Sequence, residues 1–249
     1  MLPELTSDEF AAALDACAVE VLWEAAVEGP PVDAELVAQR LGLVVAQDES
    51  MPCRGRFVRL TGRAFAAPGQ GTILVGPAER PERRQWAVAH EIGESVAHRV
   101  SATLGIRSEA VPPDARELVA NHLASCLLLP RNWFAADGVA FDWDLFALKE
   151  RYATASHELI ARRMLEMNPP VVITLCDLGR VQWRRGNLPG RVPRMLPEEQ
   201  AAWQRSHAGG AIASETLDPA ATGLERVRAW PVHEPDWKRE IVRSDVAEW

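Results

Sequence analysis

The stretch WAVAHEIGESVAHRV at residues 86–100 carries the clearest chemical pattern of the chain. His90 is followed directly by Glu91, and Glu94 and His98 come four and eight residues after that histidine. Residues four apart in an α-helix lie about one turn above each other, so His90, Glu94 and His98 share a strip of the helix surface. A histidine and a second ligand one turn later can bind a divalent metal ion, and a glutamate at the next position can act as general base. The pattern predicts metal-dependent hydrolysis.

Two further His-Glu pairs serve as internal comparisons. The pair at 157–158 has Ala161 where a second ligand would be needed, and the pair at 233–234 runs into Pro235, which is incompatible with a helix. Only the first pair has the complete context. For that helix strip taken alone, the alternative interpretation is a solvated, charged face with His98 half buried.

A catalytic site with three protein ligands needs one more group from another part of the chain. Glu117, in the segment ARELVANHL, is the best candidate for the third ligand. The alternative is structural, because Asp114 and Glu117 have the spacing of a capping box, in which the glutamate only completes the start of a helix. The residues by themselves leave both interpretations open.

Composition narrows the function classes. The net charge of −8, from 27 basic and 35 acidic residues, opposes general binding to a phosphate backbone. The N-terminal residues MLPELTSDEF are polar and acidic, which predicts no signal peptide, and no apolar run reaches the roughly 20 residues that a membrane span requires. Four cysteines far apart in sequence predict reduced thiols in a cytoplasmic protein: Cys17, Cys53, Cys126 and Cys176.

The elements that would position these residues can be predicted from periodicity and from turn residues. Helix starts are expected at Thr6 with Glu9, at Asp33, at Pro81 and at Asp114, with Pro130 ending the last of these helices. Four short segments with tight connections predict an antiparallel meander of strands at 43–47, 54–60, 63–67 and 72–76. Later elements are two helices in a helix-turn-helix outline, a hairpin turning at 177–179, a further helix and proline-interrupted strands: 142–152, 156–167, 171–185, 198–208 and 226–244.

Two blocks of the chain resemble the ImmA/IrrE family of metallopeptidases. In the first, AHEIG at 89–93 is followed by His98; in the second, Glu117, Ala120, Asn121 and Ala124 lead into LLLP at 127–130. The resemblance extends over roughly residues 30–185, and two motifs in the correct order are more specific than either one alone.

The resemblance implies an α+β fold and a set of site residues. We expect a zincin-like metallopeptidase domain with a small antiparallel sheet at 1–135, a helix-turn-helix-like helical subdomain at 136–170 and a hairpin with a Trp-rich extension at 171–249. Carried over position by position, the family roles make His90, Glu94 and Glu117 the metal ligands and Glu91 the general base, with His98 and Asn121 as supporting residues.

One position departs from the family pattern, because Glu94 stands where the second metal-binding histidine is expected. One histidine with two carboxylates neutralises a divalent ion, and such an oxygen-rich site favours harder ions. We therefore expect zinc with weakened retention, with manganese as the alternative ion. Either hydrolysis is slowed or the chain is a pseudo-peptidase that only binds a protein partner through the same cleft.

The resemblance also implies a protein substrate, a helix-turn-helix repressor of stress, phage or mobile-element genes. The segment TILVG at 72–76 is a candidate edge strand that could hold this substrate extended by main-chain pairing. The helix pair within 143–167 is expected to be structural, without direct nucleic-acid contact, since acidic residues surround basic residues such as Lys149, Arg162 and Arg163.

Overall fold

A computed structural model describes residues 6–50, 55–59, 71–107 and 111–247, with only the backbone given for 55–59. The predicted strand at 63–67 lies outside these residues. Within them, no helix has the length and apolar character needed to cross a membrane. Contacts divide the chain into two compact units, the first formed by Met1–Asp137 and Glu150–Ser156, and the second by Gly138–Lys149 and His157–Trp249.

The first unit begins with the two helices predicted from their caps. In α1 (Ser7–Glu24) the Thr6 hydroxyl accepts from the Glu9 backbone N–H, and the Glu9 carboxylate accepts from the Thr6 N–H, which completes a capping box. In α2 (Ala34–Arg40) the Asp33 carboxylate accepts from the first-turn backbone. Both predicted helix starts are confirmed.

The small sheet of the first unit differs from the predicted meander. Its strands are β1 (Val44–Gln47), β2 (Gly55–Arg59) and β3 (Gly71–Val75), in the order β1-β3-β2, and β1 runs parallel to β3. The prediction of a uniformly antiparallel sheet was therefore wrong. Because β3 is almost entirely buried whereas β1 is half exposed, the most apolar strand takes the central place. The prediction that TILVG forms an edge strand was also wrong, since both of its sides are paired.

Two long helices supply the candidate site. Helix α3 (Pro81–Thr103) begins with proline in its first turn, as predicted. Helix α4 (Pro113–Leu128) has Pro112 as its N-cap residue, without a side-chain cap hydrogen bond, so Asp114 lies inside the first turn. The predicted helix start at Asp114 was therefore wrong, and the capping-box alternative for Glu117 fails with it. Pro113 fits the first helical position without needing an N–H, which moves the helix start ahead of Asp114.

Three shorter helices follow α4. The first, α5 (Arg131–Ala140), was not predicted, although Pro130 both ends α4 and accepts from Phe134 N–H at the start of α5. The predicted pair appears as α6 (Leu145–Arg151) and α7 (His157–Met164). The α7 cations contact carboxylates, because Arg162 pairs with Glu158 at 2.8 Å and the buried Arg163 pairs with Glu166.

The second unit is built on a five-stranded antiparallel sheet in the order β5-β4-β8-β7-β6. The predicted hairpin turn is confirmed, with Leu178 and Gly179 in the left-handed region at φ 49° and 75°. The strands and the remaining short helix are β4 (Val171–Asp177), β5 (Arg180–Gly186), β6 (Ala213–Thr216), α9 (Pro219–Thr222), β7 (Leu224–Glu234) and β8 (Trp237–Val246).

One helix covers a face of this sheet. Helix α8 (Pro197–Gly209), which was predicted, contributes Ala202 to an apolar cluster with residues of β6, β7 and β8. Pro231 lies inside β7, beyond the last β6 pair at Ala213 and Ala229, so its missing N–H removes no hydrogen bond to β6. The predicted strands at 226–244 are therefore continuous through the proline.

The opposite face holds a cluster of ion pairs within the second unit. The Trp230 indole N–H donates to Asp144 at 3.0 Å, and Arg226 pairs with Asp142 at 2.6 Å. The Arg226 hydrogen bond lowers the pKa of the Asp142 carboxyl. Burial lowers the pKa of the Arg243 guanidinium to about 10 despite its contact with Asp245. These partners fix the chain before α6 to the sheet.

Candidate metal centre

The close approach of α3 and α4 depends on one glycine. A Cβ atom built on Gly93 would lie 2.9 Å from the Ala120 carbonyl oxygen and 3.1 Å from the Leu123 Cβ. Only a residue without a side chain allows α4 to lie this close to α3. His90 lies three residues before Gly93 and Glu117 lies three residues before Ala120, so both side chains are close to this contact.

Asn121 connects the two predicted ligands. Its Oδ1 lies 3.2 Å from His90 Nδ1, and its Nδ2 donates to Glu117 Oε1 at 3.2 Å. With the amide oriented in this way, the imidazole carries its proton on Nδ1 and keeps the lone pair of Nε2 available. Asn121 therefore sets the orientation of both side chains.

The remaining atoms of this pair face each other. His90 Nε2 lies 3.6 Å from Glu117 Oε2, and the histidine side chain is 16% exposed against 66% for the glutamate. Two ligands at about 2.0–2.1 Å from a tetrahedral ion are about 3.3–3.4 Å apart, which is close to the observed separation. This pair, with Asn121 behind it, fits as two ligands of a divalent ion.

Glu91 and Glu94 lie in different environments. Glu91 is 3% exposed and follows His90 on α3, while Glu94 is exposed one turn further along. Glu94 lines a groove of about 290 Å³ whose other residues come from α3, α4 and the segment before α4: Ala97, His98, Ser101, Val111, Arg116 and Val119. The lining includes one negative and one positive side chain, Glu94 of α3 and Arg116 of α4.

The predicted site residues are brought together only in part. The ligand atoms of His90, Glu94 and Glu117 do not all lie within 4.8 Å of one another, as a group of metal ligands requires. His98 lies in the groove beside Glu94, and its Nδ1 is 3.1 Å from the Ser95 carbonyl of its own helix. His90, Glu117 and Asn121 thus contact one another, whereas Glu94 and His98 line the groove.

A second group, in the second unit, was missed by sequence analysis. His207, His233 and Glu240 place their ligand atoms within 4.8 Å of one another. His207 lies 26 residues before His233, and the three residues come from α8, β7 and β8, so no short motif marks them. Only the strand pairing of β7 with β8 could have indicated that His233 and Glu240 share a face.

Comparisons with known proteins point to one family. The model of the family Peptidase_M78, described as the IrrE N-terminal-like domain, matches residues 38–165. A search of curated proteins returns no match. Among solved structures, a Mycobacterium tuberculosis transcriptional regulator is similar with a TM-score of 0.63 and 16% identity, over 96% of this chain and 81% of that one. At this identity, the structural match shows a shared fold.

Proposed function

The chain belongs to the Peptidase_M78 family of IrrE N-terminal-like domains, and from this membership we propose that it is a regulatory, metal-dependent peptidase. Its substrate would be a transcriptional repressor of the helix-turn-helix type in a stress, phage or mobile-element response. The family resemblance supports this substrate class, and the similar solved structure is that of a transcriptional regulator.

The observation that carries the proposal is the arrangement of His90, Asn121 and Glu117. One amide holds an imidazole and a carboxylate so that their free atoms are 3.6 Å apart. Glu117 is not part of a capping box, which removes the structural explanation for its position. We assign His90 and Glu117 as metal ligands, Glu94 as the third ligand after a change of its side-chain rotamer, and Asn121 as a positioning residue.

Zinc suits an imidazole with carboxylates, and manganese becomes competitive as oxygen ligands increase. When bound, such an ion supplies Lewis acidity to a peptide carbonyl and to the attacking water. Glu91, which is buried and adjacent to His90, would accept a proton from the attacking water on its carboxylate and transfer it to the leaving amide nitrogen. The groove beside Glu94 and Arg116 would hold the substrate chain next to these groups.

The test is cleavage of a helix-turn-helix repressor, sought first among the products of neighbouring genes. Purified protein loaded with zinc should produce discrete fragments that mass spectrometry can assign to one bond. Glu91→Gln should bind zinc and the repressor as the parent does and should produce no fragments. Equal cleavage by the parent and by Glu91→Gln would overturn the assignment of the general base.

A second candidate function is favoured by one observation, the separation of Glu94 from the His90–Glu117 pair. In this pseudo-peptidase, the cleft binds the repressor without cleaving it. The two functions differ in one outcome, because the parent would then bind the repressor and leave it intact even with zinc or manganese present. Glu94→His should restore cleavage if the scaffold is otherwise complete, since it returns the family histidine to its position.

A further inference from the structure

Three side chains of the second unit converge at one end of its sheet. His207 Nδ1 lies 2.9 Å and His233 Nε2 lies 2.6 Å from the same oxygen, Oε1 of Glu240. The two rings are nearly perpendicular, at 78°, with their centroids 6.3 Å apart. Both imidazole nitrogens are therefore directed at the same carboxylate oxygen.

The fold itself produces this convergence. Glu240 on β8 is paired with Pro231 on β7, and His233 follows two residues later on the same face of the sheet. Helix α8 covers this face and ends at Gly209, which places His207 in its last turn. Lys238 Nζ donates to the His207 carbonyl at 3.3 Å, so β8 also contacts the end of the helix.

The charge of Glu240 requires a partner, because this carboxylate is fully buried. Its ion pairs within the described chain are with the two imidazoles, and no arginine or lysine of those residues joins them. Trp203, one turn before His207 on α8, donates its indole N–H to the second oxygen, Oε2, at 2.9 Å. The indole fixes the carboxylate plane and leaves Oε1 towards the histidines.

We propose that His207, His233 and Glu240 form a second metal site, which binds a divalent transition-metal ion with zinc as the best match. Two imidazoles and one carboxylate are a donor set that zinc takes in catalytic sites, where a water molecule occupies the fourth position. The histidine side chains are 34% and 21% exposed, so an ion and a water molecule can reach them from solvent. Tetrahedral ligands are about 3.3 Å apart, so the imidazoles need to move outward by less than about 1 Å.

The same three groups could also serve only as a hydrogen-bonded cluster, and one double variant separates the two roles. In His207→Asn with His233→Gln, each side-chain amide places an N–H near the original ring nitrogen. The buried carboxylate thereby keeps its donors, while both metal-binding lone pairs are lost. A hydrogen-bonded cluster tolerates this exchange, whereas a metal site does not.

The experiment uses full-length protein carrying His90→Ala and Glu117→Ala, so that the first site is absent and the result is independent of the proposed peptidase function. After treatment with a chelator and its removal, this protein is titrated with zinc chloride by calorimetry. We expect one equivalent to bind. Adding His207→Asn and His233→Gln should weaken binding at least tenfold, while thermal unfolding in the presence of chelator stays the same.

Two supporting variants keep the test decisive. Should the double variant fail to fold, Glu240→Gln, which preserves the volume of the buried side chain, must show the same loss. Trp203→Phe removes only the indole hydrogen bond and should weaken zinc binding about tenfold, as loss of an outer partner does. The proposal is overturned if the starting protein binds no zinc, or if the variants that lack ligands bind it less than tenfold more weakly.

Discussion

The positioning role of Asn121 gives a prediction whose size can be worked out from its contacts. Asn121→Ala removes two hydrogen bonds, one to His90 and one to Glu117. Each such bond is worth about 0.5–1.5 kcal/mol, and the bond to the exposed Glu117 belongs at the lower end of that range. The sum is about 2 kcal/mol, which corresponds to about 30-fold weaker binding of zinc. This agrees with the usual loss of about 10–100-fold for outer partners of metal ligands.

The assay is competition for zinc with a fluorescent chelator, in a background carrying His207→Asn and His233→Gln so that only the first site is measured. The matched control is His122→Ala, the next residue on α4, whose ring contacts Phe10 edge-on at 6.0 Å. We expect His122→Ala to leave the zinc affinity unchanged. Folded Asn121→Ala protein that binds zinc within about twofold of its parent would refute the reasoning, because two bonds of this size cannot be lost without effect.

Three further predictions follow from other parts of the structure. Glu94→His should tighten zinc binding in the same competition assay, and affinity that does not rise would count against Glu94 as a ligand. Gly93→Ala should lower the free energy of unfolding by about 1–3 kcal/mol in thermal melts, because the added methyl group meets the α4 backbone. Gly209→Ala, which meets open space, should stay within about 0.5 kcal/mol. Burial raises the pKa of Cys17 to about 11 and of Cys176 to about 12, from 9.0. Above pH 9 the unfolded chain therefore loses thiol protons that the folded chain keeps, and each thiol should lower stability by about 1.4 kcal/mol per pH unit up to its folded pKa. Replacing Cys17 by alanine should remove the contribution of this thiol to the decrease in the free energy of unfolding with rising pH.

Local signals in the sequence were sufficient for most helices. Thr6 with Glu9, Asp33 and Pro81 each mark a start that the structure confirms, because caps and first-turn prolines act through neighbouring backbone groups. Pro130 shows the limit of such signals. It was correctly predicted to end α4, but a proline that ends one helix can also begin the next, and α5 was missed.

Strand order was less predictable, because it depends on which strand is most buried. The parallel pairing of β1 with β3 connects segments that β2 separates in sequence, and tight turns give no indication of it. The same limit applies to the candidate site residues. The contacts among His90, Glu117 and Asn121 could be anticipated because these residues lie in two motifs of a known family, whereas His207, His233 and Glu240 meet only through tertiary packing.

Anomalous diffraction from crystals grown with zinc would test the central claim most directly. The account predicts a zinc peak within about 2.0–2.2 Å of both His90 Nε2 and a Glu117 carboxylate oxygen, with Asn121 still bonded to His90 Nδ1. A crystal that contains zinc elsewhere in the molecule but shows no peak between His90 and Glu117 would contradict it.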